Sequence, residues 1–169
     1  MKLYFLRHGQ AVESNEWRGA EIDRPLTDAG RDEMHGVARG LRALDLRLTA
    51  IYSSPLARAR ETAEIAAQAF ALTVIDSPAL ASDCDLDDLT LLLAQHSHDE
   101  AVMFVGHEPD LVTMIGRLIA KSGLAHVTMK KASCCAIHLY GAADRPLAGR
   151  GELRWLMTAQ QLTAIGASH

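Results

Sequence analysis

Cysteine is scarce in this chain. Cys84, Cys134 and Cys135 are all there is, too few and too unevenly spaced to staple a fold, and adjacent residues of a strand point to opposite faces. They read as free thiols held by packing. Aromatic side chains make up only 5% of the residues, and Trp17 and Trp155 stand too far apart to suggest a stacking platform. No apolar run approaches the roughly 18 residues that cross a bilayer. The stretch after Met1, Lys2-Leu3-Tyr4-Phe5-Leu6, is too short for the apolar part of a signal peptide. A cytoplasmic location with no membrane partner is the expectation. Excess charge of one sign is also missing: the formal net charge is -4, which exerts no general pull on nucleic acid or anionic lipid. Nucleic acid is therefore not expected as a partner.

What is present suits a compact core. Of 169 residues, 49% are hydrophobic and 22% charged, which predicts one domain over 1–169, expected as a monomer. Lys2 to Leu6 is apolar on both faces, like a central strand covered from both sides. Thr27 can cap a helix carrying Met34, Val37, Ala38, Leu41 and Leu44 at helical spacing. A strand over Ala50–Ser53 follows. Ser54 as cap and Pro55 as first helical residue then start a helix with Ala59, Ala63, Ala66 and Phe70 inward. The pattern repeats with a strand near Leu72–Ile75, a helix carrying Leu86, Leu89 and Leu93, a strand over Ala101–Val105, and a helix opened by Pro109. Two late strands, near Ser133–Tyr140 and Glu152–Met157, suggest an antiparallel hairpin at one sheet edge. Residues 158–169 are either a short helix or frayed. Strands alternating with helices predict an α/β domain, a three-layer α/β/α sandwich with a mostly parallel sheet and an antiparallel edge. Ligands in such sheets bind outside the carboxyl ends of the strands.

Arg7-His8, Arg58 and His107 each fall at or just after the carboxyl end of a different predicted strand. Arg58 lies in the first turn of its helix and His107 directly precedes another, so two positive helix ends face the same place. This is an anion pocket. Arginine suits it because a planar fork binds two phosphate oxygens and keeps its charge. Binding alone needs no histidine, whereas a neutral imidazole can attack phosphorus and split one displacement into two in-line steps. Gly9 lets the backbone turn without a side chain blocking the phosphate. Each element taken singly also fits a satisfied polar residue at a strand end. Their joint placement is what carries the reading.

The motifs Leu6-Arg7-His8-Gly9, Ser53-Ser54-Pro55-Leu56-Ala57-Arg58-Ala59-Arg60-Glu61-Thr62-Ala63 and Val105-Gly106-His107 resemble the histidine phosphatase superfamily, with its phosphoglycerate mutase-like fold. Arg24-Pro25-Leu26-Thr27-Asp28-Ala29-Gly30 and the small size look like the SixA-type phosphohistidine phosphatases within it. The resemblance implies that His8 is the nucleophile and that Arg7, Arg58 and His107 hold the phosphoryl oxygens. The arginine and histidine cradle, with no convincing ligand set in the sequence, predicts no metal and no cofactor. Arg60, about 200 degrees around the helix from Arg58, reads as outside the pocket. The mutase branch continues its first motif with Ser and Trp-Asn, whereas this chain has Gln10, Ala11 and Val12, which disfavours mutase activity. That branch also carries a glutamate proton donor after the third strand. Here only Asp83, Asp85, Asp87 and Asp88 stand in that segment, and Asp85 or Asp83 is either the donor or surface charge.

Other polar clusters read as ordinary. The run His96-Ser97-His98-Asp99-Glu100 holds ligand residue types without a helical His-x-x-x-His spacing, so no metal is expected there. His35, His126, His138 and His169 read as surface or partly buried residues. The segment between the third strand and Ala101 is too short for inserted covering helices, which predicts an open pocket. Such a pocket suits a phosphohistidine on a partner protein. A small phosphate ester is the alternative, and a non-catalytic phosphate-binding adapter is a third class.

Overall fold

The computed structural model describes residues 1–121, 125–143 and 145–168; His169 lies outside them. Six strands form one sheet in the order β3-β2-β4-β1-β5-β6. They are β1 (Lys2–Arg7), β2 (Ala50–Ser53), β3 (Val74–Asp76), β4 (Ala101–Gly106), β5 (Cys134–Leu139) and β6 (Gly151–Met157). The first four run parallel, while β5 and β6 run antiparallel at one side. This is an α/β fold with the antiparallel edge that the late strands suggested.

The period of two along each strand divides the core into two layers. Leu3 and Phe5 of β1, with Val102 and Phe104 of β4, face the side covered by α3 (Leu86–Leu93) and α4 (Asp110–Ile119). Tyr4 and Leu6, with Met103 and Val105, face the side covered by α1 (Asp28–Ala43), α2 (Ala57–Phe70) and α5 (Ala159–Ala167). Phe5, Phe104 and Tyr52 form a continuous row across β1, β4 and β2, with centroids 5.7 Å apart at each step. The β1 and β4 side chains in these layers are buried on both faces, which explains why those strands read as uninterrupted apolar runs.

Thr27 caps α1 as expected, accepting the Gly30 amide at 2.9 Å. Residues 158–168 are not frayed: Thr158 and Gln161 form a reciprocal cap and α5 packs on α1. The strands β4, β5 and β6 shift by a residue at their ends, and three further boundaries differ. β3 is Val74–Asp76 rather than Leu72–Ile75, because Leu72 is drawn into the close of α2, its amide bonding Ala67 O. α2 begins at Ala57 after an uncapped Leu56, so Ser54 is not its cap. α4 begins at Asp110, and Pro109 precedes it as cap, leaving His107 three residues ahead of the helix.

Candidate active site

β1 and β4 end level, with Arg7 opposite Gly106. That register sets His8 beside His107, their ring centroids 5.0 Å apart. β2 flanks β4 on the other side, and the first turn of α2 brings Arg58 to the same carboxyl end. The charges of Arg7 and Arg58 act on both imidazoles. The four residues singled out from the sequence therefore come together.

His8 is held on several sides. Its backbone N–H donates to Gly106 O at 3.1 Å, and its carbonyl accepts Ala132 N at 3.1 Å. The next amide, Gly9, donates to Thr62 Oγ1 at 3.0 Å, and that hydroxyl donates to Arg58 O at 2.7 Å. Nδ1 of His8 lies 2.7 Å from Gly9 O. A carbonyl only accepts, so Nδ1 carries the proton and Nε2 is left with an in-plane lone pair.

Both arginines are gripped by one edge. Arg7 Nη1 pairs with Glu108 at 2.8 Å and donates to Met129 O at 2.5 Å. Glu108 in turn accepts Met129 N at 3.0 Å. Arg58 Nη1 meets the Glu21 carboxylate at 3.1 Å, and Glu21 is itself held by Arg24 at 2.8 Å. Arg7 Nε, Arg58 Nε and His107 Nδ1 are buried with no protein partner. Buried donors are normally satisfied. The residues that carry these unpartnered nitrogens are the ones that converge with His8.

Residues 3–110 match the histidine phosphatase superfamily (branch 1), and the match contains all four convergent residues. The chain belongs to that family. This histidine phosphatase is 35% identical to an uncharacterised protein of Picosynechococcus sp. over 78% of its own length and 81% of the relative's. It is 40% identical to a probable phosphoglycerate mutase, GpmB, of Escherichia fergusonii, but that match spans 47% of this chain and 37% of GpmB. Its fold superposes on the protein histidine phosphatase SixA complexed with tungstate with a TM-score of 0.78, at 21% identity, covering 96% of this chain and 99% of the other. Membership carries phosphatase or mutase chemistry.

In this histidine phosphatase both imidazoles are neutral near pH 7. Burial, then the Arg58, Arg7 and Lys131 charges, pull His8 down from 6.5 to about 4, against the opposing hydrogen bond to Gly9. Burial, then His8, Arg58, Arg7 and Arg24, pull His107 to about 3. Above pH 6.5 these rings are neutral folded or unfolded. As pH falls below 6.5 the unfolded chain takes up protons that the folded site refuses, so stability is lost across the window down to about 4. Thermal unfolding followed over that window should show wild type losing stability more steeply than His107→Gln. Parallel curves would mean that His107 titrates normally in the fold.

The aspartates of this histidine phosphatase fall differently. Asp85 caps α3, accepting Asp87 N at 2.8 Å and Asp88 N at 3.1 Å, so its carboxylate is occupied. Asp83 sits in a left-handed turn at φ 59°. Neither shares a hydrogen bond or ion pair with the four convergent residues. Asp110 accepts the backbone amides of Asp83 and Cys84, and burial followed by the nearby Asp83 charge raises its pKa. Arg60 points away, pairing with Glu64 at 2.9 Å and with Asp76.

Gly9 has a packing reason rather than a phosphate-clearing one: a Cβ there would lie 2.9 Å from Met34 Cγ and 3.3 Å from Leu26. His96 is engaged by the Tyr52 hydroxyl at 2.9 Å and by Glu100 at 2.5 Å. Among the described residues no group of three or more His, Cys, Asp or Glu could share a metal ion. Among them, too, no helix is long and apolar enough to cross a membrane. A cavity of about 550 Å³ lined by Lys2, Tyr4, His138 and Trp155 lies at the opposite end of the sheet. Sequence reasoning passed over Glu21, Ser54 as a site residue, Thr62, Glu108 and Met129. Only Glu108, beside His107, and Ser54 and Thr62, within the α2 motif, carried a positional signal.

Proposed function

We propose that the chain is a phosphatase for phosphohistidine displayed on a partner protein, with His8 as nucleophile and Arg7, Arg58 and His107 as phosphoryl ligands. The observation that carries the reading is the convergence of Arg7, Arg58 and His107 on His8, whose Nδ1 proton is committed to Gly9 O, with Arg7 Nε, Arg58 Nε and His107 Nδ1 left without a protein partner. Nε2 of His8 attacks phosphorus in line. The substrate ring, protonated by solvent on its other nitrogen, departs as neutral imidazole as its bond to phosphorus breaks and the new P–N bond forms. A water then attacks phospho-His8, releasing inorganic phosphate and, after its proton leaves to solvent, restoring the neutral imidazole.

The leaving group favours this substrate class. An alkoxide departs as a strong base and needs a positioned acid, a contribution of about 10² to 10⁴ in rate, whereas imidazole departs far more easily. Glu21 is a poor acid, its carboxyl held below the usual range by Arg24 and Arg58, and the Glu108 carboxylate is paired with Arg7. A small phosphate ester is the second reading, favoured by Asp110, three residues after His107, whose pKa is raised by burial and by the nearby Asp83 charge.

The ratio kcat/KM, measured at one pH for a phosphohistidine protein, an aryl phosphate and an alkyl phosphate, tests the choice. The expected order is phosphohistidine, then aryl, then alkyl, with about 10² or more between first and last. Comparable values, together with collapse of the alkyl rate in Asp83→Asn, Asp85→Asn or Asp110→Asn, would establish the ester reading instead.

A further inference from the structure

Ser54 lies in the turn between β2 and α2 and is fully buried. Its residue type and its neighbour Pro55 look like a helix start, yet its hydroxyl caps nothing. Oγ accepts the Leu56 amide at 3.3 Å and lies 2.9 Å from Nε2 of His107. An amide can only donate, so one acceptor position of Oγ is filled and the hydroxyl proton still needs a destination.

Two arrangements are possible. If Nε2 of His107 donated, Oγ would accept twice and its own proton would be buried without an acceptor, which is costly. If the hydroxyl donates to Nε2, every group in the turn is satisfied and the imidazole proton moves to Nδ1. The far side of the ring decides in the same direction. Nδ1 is buried without a protein partner, on a ring 5.0 Å from that of His8. An N–H there attracts a phosphoryl oxygen, while a lone pair there repels it.

We infer that Ser54 is a positioning residue that fixes His107 as the Nδ1–H tautomer, so that an uncharged imidazole donates to a phosphoryl oxygen. Polarity is passed from the Leu56 amide through the Ser54 hydroxyl to the far side of the ring. The inference rests on the phosphatase reading for its purpose, and on the hydrogen-bond count for its direction. A neutral donor also adds no third full positive charge beside Arg7 and Arg58.

Nitrogen-15 NMR of the imidazoles in the free protein at neutral pH reads this directly. His107 is expected to show a protonated Nδ1 and an unprotonated Nε2. Ser54→Ala is expected to give a mixed or reversed tautomer and about tenfold weaker binding of inorganic phosphate, the scale of one lost hydrogen bond. Ser54→Thr keeps a hydroxyl and should retain the wild-type tautomer. An Nε2–H tautomer in wild type, or an unchanged tautomer in folded Ser54→Ala, overturns the inference. The wild-type spectrum decides alone if neither variant folds. Because this reading needs no turnover, an Nδ1–H tautomer found without any phosphoenzyme would sink the phosphatase assignment and leave the role of Ser54 standing.

Discussion

His8→Ala should lose turnover by about 10⁴-fold or more and form no acid-labile phosphoenzyme, while still binding inorganic phosphate. The reason is a division of labour within the site. His8 supplies the Nε2 lone pair, freed because Nδ1 is committed to Gly9 O at 2.7 Å. The oxygen ligands sit on other residues, and Arg7 and Arg58 are gripped by Glu108 and Glu21 whether or not the imidazole is there. Removing the ring therefore deletes the attacking group and leaves the cradle. Turnover, a trapped phosphoenzyme and calorimetric phosphate binding are the measurements. Appreciable turnover by the variant would remove His8 from the nucleophile's role. If wild type bound phosphate without ever forming a phosphoenzyme, the chain would be a binding adapter.

Arg58→Ala should cripple both functions, with a rate loss of about 10²- to 10³-fold and a matching loss of phosphate affinity. Arg58 is only 8% exposed, and burial is the leading cause that lowers its pKa, so its charge acts where solvent screens little. The variant leaves Glu21 paired with Arg24 alone. Arg58→Lys should recover only part of the loss, since a single ammonium nitrogen lacks the planar fork that can hold Glu21 and a phosphoryl oxygen at the same time. Arg60→Ala is the control, because Arg60 is turned toward Glu64 and Asp76. Equal losses from Arg58→Ala and Arg60→Ala would mean a general charge effect rather than a cradle.

The parts of the site readable from the sequence are those whose placement is set by local rules. Apolar faces on both sides of Leu3 to Leu6 and of Val102 to Val105 identify central strands, and a residue just past such a strand must sit at the sheet's carboxyl end. Arg7, His8 and His107 follow from that alone, and Arg58 follows from the helix start. The supporting residues were hidden because their partners are remote or their residue types are ambiguous. Met129 reaches Arg7 only through the return of the chain into β5. Glu21 sits in a single 3-10 turn, Glu21–Asp23, with no periodicity to place it. Ser54 was concealed by chemistry, since the hydroxyl that meets the His107 imidazole is of the same kind as those that cap helices. Asp85 was misleading in the opposite sense: a carboxylate in the right segment, committed to the amides of α3.

The alignment of Arg7 with Gly106 across β1 and β4 has a kinetic consequence. Parallel pairing between distant segments incurs loop-closure entropy before any contact rewards it, and such topologies are slow to form. β1, β2 and α2 emerge from the ribosome first, carrying Arg7, His8 and Arg58, but the two halves of the sheet are joined only when β4 inserts between β2 and β1. Until then His8 and Arg58 lie on segments that the sheet has not yet joined. The proposed phosphate binding is thus expected to be a property of the finished sheet rather than of its parts. During refolding it should trail helix formation, which makes it a reporter of the last long-range closure.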